Sequence, residues 1–172
     1  QNKIEKVAPA EAQILNELSE QLNESCTEVR NISHVMMPPT LEQHGLVPSL
    51  QMLLRNSLEH MGLQAEFEHF NLPERLDEKT ELGLYRIAQE LLNNILKHAQ
   101  ANKVLLQLYQ VGNNLIMRIE DNGKSFDFDE ARRKGSMGLL NILSRVSTLG
   151  GTYTSEQGAE FGTVSTIRVP VG

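Results

Sequence analysis

The sequence predicts a two-layer α/β sandwich, a mixed and mostly antiparallel sheet covered by helices on one face, with an N-terminal helical arm. Three observations point there. Helical and strand periods follow one another as helix, helix, strand, helix, two strands, helix, two strands, a mixture that layers helices on one sheet face. Both late strand pairs are joined by turn-forming, glycine-bearing segments, which makes them antiparallel hairpins. The first third has a different rhythm, a heptad seam that stops at Pro38-Pro39.

That seam runs Leu15, Leu18, Leu22, Ser25, Val29, Ile32, Met36, apolar at every position except Ser25. A single helix cannot bury such a seam, so the arm requires a partner. Pro38 and Pro39 end it, because each lacks a backbone donor and restricts the residue before it. Leu46 to Met61 then reads as an amphipathic helix (Leu46, Leu50, Leu53, Leu54, Leu58, Met61) closed by Gly62. Gln64 to Phe70 alternates as a strand, Ala65, Phe67 and His69 opposite Glu66 and Glu68. Lys79 to Ala99 has a 3.6-residue period, with Leu84, Ile87, Ala88, Leu91 and Ile95 on one apolar face. Lys103–Val111 and Leu115–Glu120 form a hairpin about Gly112-Asn113-Asn114. A helix follows from Leu139 to Leu149, stopped by Gly150-Gly151, and Gly151–Glu156 with Thr163–Val169 makes the second hairpin.

Length and composition narrow the function. The chain has 172 residues, enough for one domain plus an appendage. Sixteen Lys and Arg stand against twenty-two Asp and Glu, and no basic run appears, which argues against a nucleic-acid partner. Through Glu42 seven acids and three bases leave −4 of the total −6 on the arm. One cysteine, Cys26, excludes an internal disulfide and any multi-cysteine metal site. No apolar run approaches the ~20 residues of a membrane span, so a soluble, cytoplasmic piece is expected.

Four segments could carry chemistry. In Tyr85-Arg-Ile-Ala-Gln-Glu-Leu-Leu-Asn-Asn-Ile-Leu-Lys-His-Ala99, Glu90, Asn94 and Lys97 lie at i, i+4 and i+7 beside the apolar face. They offer two oxygen ligands suited to Mg²⁺ and a cation suited to phosphate. A solvated helix edge with a Glu–Lys pair has the same spacing. In Ile119-Glu-Asp-Asn-Gly-Lys-Ser-Phe126, Asp121 ends an apolar strand, where a buried carboxylate accepts from an exocyclic amine such as that of adenine; an ordinary Asn-Gly turn fits as well. Gly123-Lys124-Ser125 mimics the tail of a P-loop, but Arg118 stands where its first glycine belongs. Gly135-Ser-Met137-Gly138-Leu139 opens a helix, where free N–H groups favour phosphate. Gly158-Ala-Glu-Phe-Gly162-Thr163 is a glycine-bracketed turn into the last strand.

In that order the four pieces resemble the N, G1, G2 and G3 boxes of the ATPase superfamily of gyrase, Hsp90-type chaperones, mismatch-repair ATPases and histidine kinases, and with them its Bergerat-type ATPase fold. The upstream Glu28-Val-Arg-Asn-Ile-Ser-His-Val-Met-Met-Pro-Pro-Thr-Leu-Glu-Gln-His-Gly-Leu46 resembles the second dimerisation helix and junction of two-component sensor histidine kinases, in the subfamily of the nitrate and membrane-fluidity sensors. The resemblance implies two parts: residues 1–45, the end of a dimerisation and phosphoacceptor domain, and residues 46–172, an ATP-binding domain. It implies Mg²⁺ on Asn94 and Glu90, phosphates at Lys97, His98, Gly135 and Met137 to Leu139 with Gly138, and the adenine amine on Asp121 beside Gly123, Gly162 and Thr163. Glu90, Asn94 and Lys97 are then the set that positions and neutralises the transferring phosphoryl group. The base of this subfamily is an acid next to the phosphorylated histidine, so Glu90 does not take that role.

Two departures stand out. Ser125 replaces the second glycine expected after Gly123, and the G2 loop holds only Gly135 and Gly138. None of the five histidines, His34, His44, His60, His69 and His98, fits the phosphoacceptor of the first dimerisation helix. The resemblance therefore implies protein-histidine kinase activity with ATP and Mg²⁺ as cofactors. Its partners are a first helix carrying the acceptor histidine, a second copy of the full-length chain and a response regulator; the parent protein's inner-membrane anchorage fits the same picture. A degenerate nucleotide-binding or dimerisation module without kinase activity is the alternative.

Overall fold

The computed structural model describes residues 37–58, 62–125, 133, 136–158 and 162–171. The heptad seam of the arm, Gly135 and residues 159–161 of the glycine-bracketed turn lie outside them. A compact unit spans Pro38–Gly172. Its elements are α1 (Pro39–His44), α2 (Leu46–Leu58), β1 (Gln64–Phe70), α3 (Glu78–Asn94) continued by a π turn (Ile95–Ala99), β2 (Lys103–Val111), β3 (Asn114–Asp121), α4 (Met137–Thr148), β4 (Thr152–Gln157) and β5 (Thr163–Pro170).

The five strands lie in the order β1-β2-β3-β5-β4. β1 runs parallel to β2 and every other pairing is antiparallel, so the sheet is mixed and mostly antiparallel as expected. Alternation decides which face is covered. Val104, Leu106 and Leu108 of β2, Leu115, Met117 and Ile119 of β3, and Ile167 and Val169 of β5 are all buried and share one face by register. Leu84, Ile87, Ala88 and Leu91 of α3 and Leu139, Ile142 and Val146 of α4 are buried with them. The other face is mixed and partly open, with Ile116 buried, Phe70 stacked on Tyr109, and a polar row beside them. Gln107 Nε2 donates to Glu68 Oε2 at 2.6 Å, Arg118 Nη1 donates to Gln107 Oε1 at 3.0 Å, and Arg118 pairs with Glu120 at 2.7 Å.

Local chemistry sets the ends of the helices. Asp77 caps α3 by accepting from the Thr80 amide at 3.0 Å, and hydrogen bonding from the Thr80 side chain, then from its amide, holds the Asp77 carboxyl below its ordinary value. Gly83 lies where α3 meets α4: a Cβ there would come within 2.8 Å of the Leu149 side chain. Pro39, expected only to end the arm, also opens a new short helix, since proline suits the first helical turn. That helix is tied to the domain. Gly45 follows it at φ +78°, and the Glu81 carboxylate, 1% exposed, accepts from Arg75 Nε at 3.1 Å, Arg75 Nη2 at 2.9 Å and the Leu76 amide at 3.1 Å. Arg75 Nη1 in turn donates to the Glu42 carbonyl at 3.3 Å.

The helix expected over Lys79–Ala99 differs in its last turn. Asn94 ends the α-helical part, Ile95–Ala99 is a π turn, and Gln100 closes it in the left-handed region at φ +53°. Periodicity cannot reveal a single widened turn, because one extra residue leaves the apolar pattern before it unchanged.

Leu106 is fully buried at the centre of the inner face. Leu106→Ala is expected to lower the unfolding free energy by about 2–5 kcal/mol in chemical denaturation.

Candidate functional site

The site forms at one end of the sheet, where β2 begins and β3 ends. Asp121 pairs with Val104 on one side and Thr163 on the other, so its side chain lies on the helix-covered face. It is 3% exposed and Thr163 is 7% exposed. The Gly123 amide donates to Asp121 Oδ1 at 2.8 Å, and the Thr163 amide also donates to this carboxylate. Burial nonetheless pushes the Asp121 carboxyl above its ordinary value, because two amide donors do not replace full hydration.

Two glycines let three chain segments meet around that carboxylate. A Cβ on Gly123 would strike the Ala99 carbonyl and lie 2.9 Å from the Ala101 nitrogen. The Lys124 amide donates to the same Ala99 carbonyl at 2.6 Å. Gly162, at φ +84°, leaves no room for a side chain either: its Cβ would strike the Asp121 carbonyl. The end of α3, the turn after β3 and the start of β5 are thus in backbone contact.

The third glycine brings α4 onto α3. A Cβ on Gly138 would strike the Glu90 carboxylate and lie 3.6 Å from Asn94 Oδ1. Glu90 and Asn94 are both half-buried. Leu139 anchors the same turn, being buried, while Met137 is 72% exposed. Ser136 precedes α4 without a side-chain cap, and no acidic residue occupies the first turn. The first turn of α4 thus has neither a capping side chain at Ser136 nor an acid of its own, and the carboxylate that faces it is that of Glu90 on α3.

Of the residues singled out from sequence, the structure brings Glu90, Asn94 and Gly138 together, and Asp121, Gly123, Gly162 and Thr163 together. Lys97 and His98 are exposed in the π turn, and each residue there advances less around the axis than an α-helical residue. Lys97 accordingly departs from the straight Glu90–Asn94–Lys97 line that the α spacing implies. Gly135 lies outside the described residues. Among the described residues no group of three or more His, Cys, Asp or Glu could hold a metal. Sequence reasoning did not single out Asn122, whose side chain bonds the corner before β2; the only signal was its place ahead of Gly123 after an apolar strand.

Known proteins share sequence and fold with this chain. A family model described as "Histidine kinase-, DNA gyrase B-, and HSP90-like ATPase" matches residues 79–172. The signal transduction histidine-protein kinase/phosphatase DegS of Brevibacillus brevis is 32% identical over 157 residues, covering 91% of this chain and 40% of its own length. The chain thus spans less than half of that curated relative. The fold is shared with the Acinetobacter baumannii histidine kinase AdeS, at a TM-score of 0.64 and 19% identity over 99% of this chain and 88% of that one. It is shared too with full-length ShkA in complex with AMPPNP, at a TM-score of 0.67 and 18% identity over 96% of this chain and 40% of that one. With more than half of its length matched, from α3 through β5, the chain belongs to the ATPase family of histidine kinases, DNA gyrase B and HSP90.

Proposed function

We propose that this chain is the ATP-binding part of a sensor histidine kinase, which binds Mg·ATP and, in the full-length protein, transfers the γ-phosphoryl group to a histidine on an upstream dimerisation helix. The observation that carries this reading is the buried Asp121 carboxylate at the end of the sheet, walled by Gly123 and Gly162. Holding an incompletely solvated carboxylate there costs stability, and an exocyclic amine offers the donor it lacks. Thr163 and Gly162 flank the same spot.

Glu90 and Asn94 fit a magnesium ion. They present oxygen donors against the open backbone of Gly138, and Mg²⁺ takes one or two protein oxygens, filling its other positions with water and phosphate. When bound, the ion neutralises phosphate charge. Lys97 and the first amides of α4 at Met137, Gly138 and Leu139 supply positive ends for the phosphate chain, with His98 as a further hydrogen-bonding side chain. Catalysis is then mainly positioning: the bond from the γ-phosphorus to the bridging oxygen breaks, a bond to the imidazole nitrogen forms, the imidazole proton passes to the acid next to that histidine, and ADP leaves. The histidine is then the source of the phosphoryl group for a response regulator.

Asp121→Asn separates binding from stability. The raised pKa means that the protonated carboxyl favours the fold. That contribution is complete below the ordinary value of 3.8 and is lost as pH rises through the raised folded value. At neutral pH the Asn variant is therefore expected to melt at a higher temperature than the parent, while its ATP affinity falls about tenfold or more and GTP affinity changes less. In the parent, ATP affinity is expected to fall as pH drops through the same raised value. Equal losses for ATP and GTP would count against adenine recognition at Asp121.

Asn94→Ala is expected to abolish the magnesium-dependent part of ATP binding; unchanged affinity with and without Mg²⁺ would sink the metal assignment.

Supplying the first dimerisation helix in trans with γ-labelled ATP is expected to yield acid-labile, base-stable phosphate on that helix. No transfer despite saturable ATP binding would favour a binding module instead.

A further inference from the structure

The turn that follows Asp121 is held by a residue outside the proposed nucleotide ligands. Asn122 is exposed, yet its side chain folds back on the corner leading from the π turn into β2. Its Oδ1 accepts from both the Asn102 amide, at 3.0 Å, and the Lys103 amide, at 2.9 Å. Its Nδ2 donates to Asn102 Oδ1 at 2.6 Å, and its own backbone amide donates to the Lys103 carbonyl at 3.3 Å.

The β2–β3 ladder ends at the pair Val104↔Asp121, one residue short of this point. Past it, the Asn102 and Lys103 amides have no strand partner from β3, and the Asn122 amide oxygen takes that place. Such local capping by Asn is the sheet-end counterpart of a helix cap. The corner it binds is also in contact with the next residues of the turn, through the Lys124 amide and the Ala99 carbonyl at 2.6 Å. It carries β1 as well, the Gln64 amide donating to the Asn102 carbonyl at 2.9 Å.

We propose that Asn122 is a positioning residue that locks the turn after Asp121 to the corner joining the Glu90- and Asn94-bearing helix to β2, and so sets the preference of the site for adenine. The proposal rests on the Mg·ATP reading above. Among the described residues, the Gly123 and Thr163 amides hold the Asp121 carboxylate directly. The direction of the carboxylate therefore depends on where the turn sits, and Asn122 contributes most of the turn's bonds to the neighbouring corner. Loosening it lets the carboxylate turn toward water, which satisfies it without a nucleobase.

The test is a titration of the whole chain with ATP and GTP in the presence of Mg²⁺, for the parent and for Asn122→Ala, Asn122→Asp and Asn102→Ala. Asn122→Ala is expected to weaken ATP about tenfold, to weaken GTP much less, and so to shrink the ATP-to-GTP preference. Asn122→Asp keeps an acceptor for both amides and is expected to restore most of the preference. Asn102→Ala removes only the side-chain partner and is expected to give a smaller loss than Asn122→Ala. A merely structural role would lower the melting temperature and weaken both nucleotides alike, and that pattern overturns the proposal. So does an unchanged preference in Asn122→Ala; should that variant not fold, an Asn102→Ala variant that keeps both the ATP affinity and the preference of the parent overturns it as well. A parent that binds neither nucleotide fails the underlying Mg·ATP reading and is distinct from all of these.

Discussion

Everything at the site depends on how α3 lies on the sheet. Leu84, Ile87, Ala88 and Leu91 are buried against the inner face formed by β2, β3 and β5, and together they fix the helix in rotation and along its axis. Glu90 and Asn94 lie beside that apolar stripe, so the packing that stabilises the domain also decides where their oxygens stand. The same packing brings the far end of the helix level with the ends of β3 and β5, where Asp121 and Thr163 are paired. A hydrophobic contact thereby sets the distance between two polar groups that do not touch each other.

Burial is used against solvation twice, with different outcomes. Glu81 is almost fully buried but receives three hydrogen bonds, two of them from a guanidinium, and it fastens the short α1 segment to the domain. Its charge is answered within the fold. Asp121 is buried to a similar degree and, among the described residues, is met by the Gly123 and Thr163 amides and by no cation, and burial raises its proton affinity. A carboxylate matched by a cation belongs to the scaffold. A carboxylate left partly unmatched is a place where a ligand donor gains more than water would.

Much of the fold was legible because it rests on periodicity. Strand β1 spans Gln64–Phe70 in the structure, as its alternation indicates, and four of the five apolar positions expected on α3 are buried, with Ile95 half-buried in the π turn. Asp121 was legible as the end of an apolar strand. Other features were not, for physical reasons. Pro39 reads as a stop in one direction and as a start in the other, so α1 was hidden. The π turn adds one residue without altering the hydrophobic pattern that precedes it. The contact between Gly138 and Glu90, and the reach of Asn122 to Asn102 and Lys103, are made between residues far apart in the chain, and only the tertiary arrangement brings them together.

The π turn at Ile95–Ala99 also gives this helix a phase. A one-residue deletion within it would let the α helix continue unbroken, and every group after the deletion would rotate by roughly a quarter turn about the axis. The Ala99 carbonyl, which now accepts from the Lys124 amide and stands where a Gly123 side chain would be, would leave that position. Length in this segment is thus a quantity the fold counts: the chain tolerates a change of side chain at Leu96 or Lys97 more readily than a change in the number of residues between Asn94 and Gln100.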